Sequence, residues 1–404
     1  MNIRIAKKPA QGRVTAPPSK SMAHRLLICA ALAEGVSTVQ NVSFSRDILA
    51  TVEALKALGA TFLVDGSTVT VTGCGGKPLA TSPLPCDESG STLRFLLPLT
   101  LLSGKGATLL GSPRLIERGV GIYQTLFAKQ GVDFSISENQ ITVKGRLTPS
   151  DFSLFGGVSS QFVSGLLFAL PLLDHDSTVT VLPPVESRNY IDMTIQALSL
   201  YGVKIKETSQ NCFFIKGGQH YHASQLQVEG DWSNAAFLYA LGYMGGSVEV
   251  EGLSFATLQG DAVCLEYLSR LQKGYATLDL SDCPDLAPVL FAMSAFFGHG
   301  AMFTGTKRLK IKESDRAKAM AEELAKMGAS LKIEENSVEV CPCRLTPPKT
   351  ALCGHNDHRI VMALSVLLTH LGGEIEGAEA VAKSYPDFFE ILTSLDAEVE
   401  YVTQ

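Results

Sequence analysis

The sequence contains no apolar run long enough to cross a lipid bilayer. Its longest apolar stretch, LAPVLFAMSAFF at 286–297, is far shorter than the ~20 residues that a membrane-spanning helix needs. The opening residues MNIRIAKKPAQGR also lack the apolar segment of a secretory signal peptide. We therefore expect a protein that resides in the cytoplasm and does not associate with membranes.

Basic residues are not in excess, and the cysteines do not form the pattern of a disulfide framework. The chain carries 34 Lys and Arg against 40 Asp and Glu, for a formal net charge of -6. Because duplex binding requires a clustered basic surface, this balance excludes nucleic acid as the main partner. The nine cysteines are odd in number and scattered, which favours free thiols.

Apolar residues, by contrast, are abundant, and the chain contains an internal repeat. With 46% hydrophobic and 18% charged residues over 404 positions, it has the composition and length of a globular protein of two domains. In residues 53–73, EALKALGATFLVDGSTVTVTG, a helical apolar pattern closes at Gly59 and two alternating strands follow. Similar segments occupy 124–145, 195–217 and 320–340, and weaker copies lie at 268–280 and 389–402.

The repeats predict the architecture. Six copies in two domains give three βα-rich units per domain, with buried helices and outer sheets, and therefore the α/β (α+β) fold class. The interval from Gly274 to Gly328 is shorter than the intervals between the other closing glycines. We therefore expect the fifth unit to be trimmed.

The domain division follows from the position of the third complete copy. The first strand, IRIA at 3–6, is expected to pair with the C-terminal half, so that the chain crosses between domains near Pro17-Pro18 and again near Gly230. The predicted domains are 19–228 and a discontinuous domain formed by 1–18 and 229–404. Because substrate sites favour clefts between domains, we expect the active site there.

Polar and cationic side chains gather at three predicted helix starts in the first half of the chain: PPSKSMAHR (17–25), CDESGSTLR (86–94) and GGVSSQF (156–162). Free N–H groups and the dipole at a helix start favour an anion, although serine capping explains each stretch equally well when it is taken alone. The loops SPRLIERG and ESRNYID add Arg114, Arg118, Arg188 and Tyr190. Their accumulation in an acidic chain favours an anionic ligand.

The densest candidate site lies in the second half, in KESDR (312–316), NDHR (356–359) and AKSYPDFF (382–389). Glu313 and Arg316 have the spacing of a helix-end ion pair, but a carboxyl group among cations that hold an anionic substrate is also suited to proton transfer. Asp285 precedes an apolar helix, where it is either a helix cap or a functional carboxylate.

A zinc site is the competing interpretation of one segment. Cysteine and histidine residues are concentrated between 341 and 358, and a Cys-x-Cys pair on a strand places both sulfurs on one face. The spacing matches no common zinc module, so we expect no metal. The residues concerned are Cys341, Cys343, Cys353, His355 and His358.

Taken in order, PPSKSMAHR, SGSTLR, SSQF, IKESDRAKAMAEELAKMGA, NDHR and AKSYPDFF resemble the motifs of the 5-enolpyruvylshikimate-3-phosphate synthase family of enolpyruvyl transferases over nearly the full chain. The resemblance implies an inside-out α/β barrel of two similar domains. It also implies transfer of the enolpyruvyl group of phosphoenolpyruvate to the 5-hydroxyl of shikimate 3-phosphate, with release of phosphate. These two small molecules would be the partners, with no metal or organic cofactor, and the chain would be a monomer.

The resemblance further implies roles for individual residues. Asp285 would accept the 5-hydroxyl proton, Glu313 would give a proton to the methylene carbon and later recover one, and Lys20 would share in that transfer. The implied shikimate 3-phosphate residues are Ser21, Arg25, Ser159, Ser160, Gln161, Ser187, Tyr190, Asp285 and Lys312. The implied phosphoenolpyruvate residues are Lys20, Gly90, Arg118, Gln161, Arg316, Arg359 and Lys383.

Two rival functions are weighed against this one. A UDP-N-acetylglucosamine enolpyruvyl transferase resembles the family but uses a loop cysteine, and residues 111–122 contain none. A binding protein that closes on a phosphorylated metabolite would not need the carboxylates of Asp285 and Glu313. The sequence departs from the family pattern at Glu88, Arg188-Asn189 and Arg308, which bears on individual contacts. Space beside Gly90 predicts that glyphosate competes with phosphoenolpyruvate.

Overall fold

The computed structural model describes residues 1–402. They form two compact units: residues 18–229, and residues 1–17 together with the chain from Gly230 onward. Each unit encloses its own hydrophobic core. None of the helices among the described residues combines the length and apolar character that crossing a membrane requires.

Twenty-two strands and thirteen α-helices are assigned in this part of the chain. The strands β1 to β22 are Asn2–Ile5, Gln11–Thr15, Val36–Gln40, Thr61–Asp65, Thr68–Thr72, Leu84–Pro85, Ala107–Leu110, Asp133–Ser137, Gln140–Lys144, Asp151–Phe155, Ser177–Leu182, Ile205–Ser209, Cys212–Ile215, Gln225–Gln227, Ser247–Glu251, Ala276–Asp279, Ala301–Thr304, Leu331–Ile333, Ser337–Val340, Leu352–Cys353, Gly373–Glu376 and Val399–Val402. The helices α1 to α13 are Lys20–Leu32, Arg46–Ala57, Gly90–Thr100, Pro113–Glu117, Gly121–Ala128, Ser160–Ala169, Arg188–Leu200, Trp232–Tyr243, Cys264–Lys273, Ala287–Phe297, Arg316–Ala325, His358–Leu371 and Phe388–Ser394.

Each unit is built around three inner helices, α1, α3 and α6 in one unit and α8, α10 and α12 in the other. These helices are buried on nearly every side, as expected for helices that are apolar all round. In the unit of residues 18–229 each inner helix begins with a serine cap whose hydroxyl accepts a backbone N–H bond: Ser19, Ser89 and Ser159. The capping interpretation is therefore correct for Ser19 and Ser89, and Ser159 caps its helix in the same way.

The outer sheets repeat one strand order. Five sheets have four strands, for example β6-β7-β9-β8 and β16-β17-β19-β18. In each, the first pair is parallel and the other two pairs are antiparallel. The repeated βα units confirm the predicted α/β class.

The sixth sheet consists of two strands, β15 and β2. Within residues 1–402, no hairpin follows α9 to complete this sheet. Instead the next strand, β16, pairs in parallel with β17 in the neighbouring sheet. The unit without a hairpin is therefore the fourth in chain order, which contains the segment 268–280. The fifth unit, at 320–340, keeps its hairpin β18-β19, so the expectation that the fifth unit is trimmed is wrong.

In the unit of residues 18–229, the outer helices α2, α5 and α7 each place one hydroxyl group between two inner helices. The arrangement recurs around the three inner helices. The hydroxyls and their partners are Thr51 with His24 Nδ1 and Thr92 Oγ1 (2.7 and 2.6 Å), Tyr123 with the carbonyls of Arg94 and Phe162 (2.8 and 2.9 Å), and Thr194 with Arg25 Nε and Ser164 Oγ (2.8 and 2.7 Å).

Candidate active site

In the unit that includes the C-terminal half, three cations converge on the carboxylate of Asp285. Lys312 Nζ and Arg316 Nη1 donate to its Oδ1 at 3.0 and 2.7 Å, and Arg359 Nη2 donates to its Oδ2 at 3.2 Å. Asp285 lies on the 3-10 turn Pro284–Leu286 ahead of α10, and it does not cap that helix. Its interpretation as a helix cap is therefore wrong, and the structure makes it the centre of a charge cluster.

The charges of this cluster act on one another strongly because the groups are buried. Burial alone would raise the pKa of Asp285, but the three cations outweigh burial and hold it well below its ordinary value, with Arg359 contributing most. Burial lowers the pKa of Lys312, and the Asp285 carboxylate offsets this only in part. Asp285 is consequently an anion at neutral pH.

Arg316, the first residue of α11, links the predicted KESDR and NDHR motifs. Its side chain is only 1% exposed. Besides Asp285, it donates through Nη2 to Glu313 Oε2 at 2.8 Å and through Nε to Asp357 Oδ2 at 2.8 Å. The structure thus brings Asp285, Glu313, Lys312, Arg316 and Arg359 together in this unit.

Asp357 is the residue of this cluster that sequence reasoning left out of the site. It caps α12 by accepting the backbone N–H of Arg359 at 2.9 Å, and it also accepts the hydroxyl of Ser314 at 3.1 Å. Burial opposes its ionisation, but Arg316 holds the pKa of Asp357 below its ordinary value. The available signal was an aspartate directly before a helix that opens with two basic residues.

Arg359 has donors that the protein does not use. Its side chain is 5% exposed, and its Nη2 is committed to Asp285. Among the described residues, Nε and Nη1 are buried without a hydrogen-bond partner. A buried guanidinium with unused donors is costly unless a ligand supplies acceptors, so this part of the site is suited to an anion.

Lys383, from the predicted AKSYPDFF motif, joins the same cluster through the loop before α12. It ends the 3-10 segment Ala378–Lys383, it is buried, and its Nζ donates to the carbonyl of Asn356. The loop that carries Asn356 also carries Asp357 and leads to Arg359. Lys383 and Arg359 are thus held by neighbouring parts of one short segment.

In the unit of residues 18–229, Gly90, Arg118 and Gln161 come together at the start of α3. A methyl group on Gly90 would lie 3.2 Å from Arg118 Nη2 and 3.4 Å from Gln161 Oε1. Arg94 donates to Gln161 Oε1 at 2.6 Å and to the carbonyl of Arg118 at 3.2 Å. Sequence reasoning noted Arg94 without placing it in the site, and the structure makes it the residue that holds the other two.

A second group in this unit contains Ser21, Arg25 and Tyr190. The guanidinium of Arg25 donates to the carbonyls of Ser21 and Tyr190 at 2.7 and 2.8 Å and to the Thr194 hydroxyl. Burial lowers the pKa of Arg25 to about 10. These contacts give Arg25 a structural task, and its predicted contact with substrate stays a prediction.

The remaining candidates of this unit lie at helix starts. Lys20 Nζ donates to Asp47 Oδ2 at 2.7 Å, and both side chains are largely buried. Ser160 is the first residue of α6, next to the capping Ser159. Ser187 precedes α7 with a left-handed backbone (φ 55) and is buried.

The cysteine and histidine residues of 341–358 have other partners. His355 Nε2 is 3.0 Å from Glu323 Oε1, and Cys343 Sγ contacts the carbonyl of Ala295. Within residues 1–402, no group of three or more His, Cys, Asp or Glu side chains is arranged to hold a metal ion. All nine cysteines are free thiols.

Two solved structures that share this architecture are an EPSP synthase and an enolpyruvyl transferase. The chain superposes on an EPSP synthase from Acinetobacter baumannii with a TM-score of 0.79 at 23% identity, covering 99% of this chain and 100% of that one. It superposes on the enolpyruvyl transferase NikO from Streptomyces tendae with a TM-score of 0.77 at 16% identity, covering 100% and 99% of the two chains. The fold is therefore that of the enolpyruvyl transferases.

Sequence comparison identifies the family within that class. A family model described as EPSP synthase (3-phosphoshikimate 1-carboxyvinyltransferase) matches residues 5–392. A 3-phosphoshikimate 1-carboxyvinyltransferase of Clostridium kluyveri is 38% identical over 424 aligned positions, covering 98% of each chain. This chain belongs to the EPSP synthase family.

Proposed function

We propose that this chain transfers the enolpyruvyl group of phosphoenolpyruvate to the 5-hydroxyl of shikimate 3-phosphate, as a step of aromatic amino acid biosynthesis. The observation that carries the proposal is the buried Arg359 guanidinium, whose Nε and Nη1 have no partner among the described residues. A dianionic or trianionic substrate supplies the missing acceptors. Arg316 shares Asp285 with Arg359, and Lys383 donates to the loop that leads to Arg359.

The candidate residues are assigned to the two substrates as the resemblance to the family implies. Arg359, Lys383 and Arg316, with Lys20, Gly90 and Arg118 of the other unit, are assigned to phosphoenolpyruvate. Gln161, held by Arg94, is assigned to both substrates. The residues assigned to shikimate 3-phosphate are Ser21, Arg25, Ser159, Ser160, Ser187, Tyr190, Asp285 and Lys312. Binding between the two domains stays a prediction.

The reaction is an addition followed by an elimination. In the addition, the 5-hydroxyl oxygen bonds to C2 of phosphoenolpyruvate, Asp285 takes the hydroxyl proton, and Glu313, assisted by Lys20, delivers a proton to C3. In the elimination, the bond from C2 to the phosphate oxygen breaks, Glu313 removes a proton from the new methyl group, and inorganic phosphate leaves. Fixed cations stabilise the charge on the departing phosphate, and no step requires a metal or an organic cofactor.

Asp285 becomes a better base when substrate arrives. In the free protein its three cationic partners hold its pKa well below the ordinary value, which makes the carboxylate a weak proton acceptor. Anionic substrate groups on Arg359 and Lys312 would compete for those cations and weaken their hold on Asp285. Binding of the substrates thus prepares the carboxylate for proton transfer.

The decisive experiment measures phosphate release from phosphoenolpyruvate in the presence of shikimate 3-phosphate, with the enolpyruvyl product identified by mass spectrometry. The expected result is release of one phosphate per enolpyruvyl ether formed. Activity with UDP-N-acetylglucosamine instead would assign the chain to the rival transferase. Tight binding of either substrate without turnover would support a binding protein.

We also propose that the chain acts as a monomer in the cytoplasm. The monomer is what the resemblance to the family implies, and the free thiols favour the cytoplasm. Light scattering coupled to gel filtration measures the mass of the particle directly. A mass of twice 43.2 kDa or more would overturn the proposal of a monomer.

A further inference from the structure

A buried carboxylate that is not part of the charge cluster around Asp285 binds the loop that leads to that cluster. Glu323 lies on α11 and is only 2% exposed. Its Oε2 accepts the backbone N–H of Cys353 at 2.8 Å, and its Oε1 is 3.0 Å from His355 Nε2. Lys326 Nζ also donates to Oε2 at 2.8 Å. The carboxylate is therefore committed to the segment that directly precedes the NDHR motif.

The loop that this carboxylate binds contains two unfavourable backbone conformations. His355 and Asn356 are consecutive residues in the left-handed region, with φ of 47 and 51, which side chains other than glycine adopt at a cost. Such a conformation persists only where surrounding contacts hold it. In this loop the carbonyl of Asn356 accepts a hydrogen bond from Lys383. The carboxylate of the next residue, Asp357, accepts one from Arg316.

Helix α11 holds both ends of this loop. Arg316 and Glu323 are seven residues apart, so they share one helix face and are separated by about 10 Å along the axis. Arg316 fixes the loop at Asp357, and Glu323 fixes it at Cys353 and His355. Between these two points lies the Asn356 carbonyl that accepts from Lys383, and the loop leads directly into Arg359.

We propose that Glu323, acting through His355 and the backbone of Cys353, is a positioning residue for the phosphoenolpyruvate end of the site. Its hydrogen-bond partners named above have no assigned part in the reaction, and its effect reaches Arg359 and Lys383 through the loop. Burial opposes its ionisation, but the hydrogen bonds from His355 and Lys326 keep the pKa of Glu323 below its ordinary value, so it holds the loop as an anion. The inference rests on the proposed function, because it concerns the affinity for that substrate.

The test compares Glu323→Gln with Glu322→Gln. Gln is neutral, so the charge-assisted bonds to His355 and Lys326 are lost, and His355 can pair with the amide group only through its other tautomer. Glu322 is the matched control, since it is the neighbouring residue, is 49% exposed and lies 4.0 Å from His355 Nε2. For Glu323→Gln we expect the KM for phosphoenolpyruvate to rise about ten-fold, with the Kd for shikimate 3-phosphate unchanged by calorimetry. The control should change neither value.

A second variant, His355→Asn, covers the case in which Glu323→Gln does not fold. Asparagine tolerates the left-handed backbone but is too short to reach Glu323, and it should raise the same KM several-fold. Equal losses for both substrates, or folded variants with unchanged KM, would overturn the proposal and assign Glu323 to stability alone. If the unsubstituted chain shows no phosphate release, the proposed function fails and the positioning role is judged by the binding of phosphoenolpyruvate to the shikimate 3-phosphate complex.

Discussion

Arg316 and Asp357 form an ion pair with both side chains at most 1% exposed, and Arg316 Nε donates to Asp357 Oδ2 at 2.8 Å. Removing one partner of such a buried ion pair is strongly destabilising, because the remaining charge stays buried without compensation. The pair also joins α11 to the start of α12. It therefore connects Glu313, which contacts Arg316, with Arg359, whose helix Asp357 caps.

The first prediction concerns this pair. Asp357→Asn should lower the free energy of unfolding by about 3 kcal/mol, measured by urea titration. Asp192→Asn is the control, since Asp192 pairs with Arg188 on a partly exposed surface where such pairs contribute about 1 kcal/mol or less. Equal effects of the two substitutions would show that burial of the Arg316 pair does not matter.

The second prediction concerns Glu313, which accepts from Arg316 Nη2 at 2.8 Å. Glu313→Gln keeps the shape and loses the proton transfer, so turnover should fall by a factor of about 100 to 10,000. The Kd for shikimate 3-phosphate, measured by calorimetry, should change little. Turnover close to that of the unsubstituted chain would mean that another group exchanges the proton with C3.

The third prediction is a pH dependence of stability that arises from Asp285. Its pKa is held well below the ordinary value in the folded chain, so its contribution is complete above the unfolded pKa and is lost as pH falls through the folded pKa. The free energy of unfolding should therefore decline below about pH 4. Asp285→Asn should be less stable than the unsubstituted chain at neutral pH, and the difference should shrink as pH falls.

Urea titrations at several pH values test this relation. Asp133→Asn, at an exposed position on β8, serves as the control and should follow the unsubstituted chain at every pH. A stability difference for Asp285→Asn that stays constant down to about pH 2, below the ordinary range of an aspartate pKa, would contradict the assignment.

The fourth prediction concerns the space beside Gly90. A methyl group there would lie 3.0 Å from Arg94 Nη1 and 3.2 Å from Arg118 Nη2, which forces those side chains to shift. Gly90→Ala should therefore raise the KM for phosphoenolpyruvate several-fold and weaken competition by glyphosate. Inhibition kinetics at fixed shikimate 3-phosphate measure both effects.

Gly121→Ala provides the comparison, because Gly121 is also the first residue of a helix and a methyl group there would meet none of the surrounding described residues within 4 Å. It should leave the KM and the inhibition unchanged. If both alanine variants behave alike, the contacts of Gly90 do not govern the site.

Local patterns were enough to predict the hairpins and the helix caps. The hairpins after Gly59 and Gly131 follow from alternating apolar residues and closing glycines, and the structure confirms them as β4-β5 and β8-β9. The serine caps at Ser19, Ser89 and Ser159 were recognisable for the same reason, because a cap acts on residues two or three positions away.

Partners distant in the sequence could not be predicted in this way. Arg94 and Gln161 are 67 residues apart, and Glu323 and His355 are 32 apart, so each pairing depends on how separate elements pack together. The same limit explains why Arg25 was assigned to substrate while its contacts with Thr194 and Tyr190 were missed. The type of a charged residue limits which groups it can bind, and the tertiary fold determines which of them it contacts.

The sheet β20-β21-β1-β22 has the strand order of the other four-stranded sheets, but the chain start supplies its third strand. Asn2 lies opposite Val402 on antiparallel neighbours, where every other such sheet has a hairpin turn. The strands β1 and β22 thus pair in the same way as the two strands of a hairpin, but no turn connects them. A short linker there would create a circular permutant, and new ends could be placed after α9, where the described chain has no hairpin to be broken.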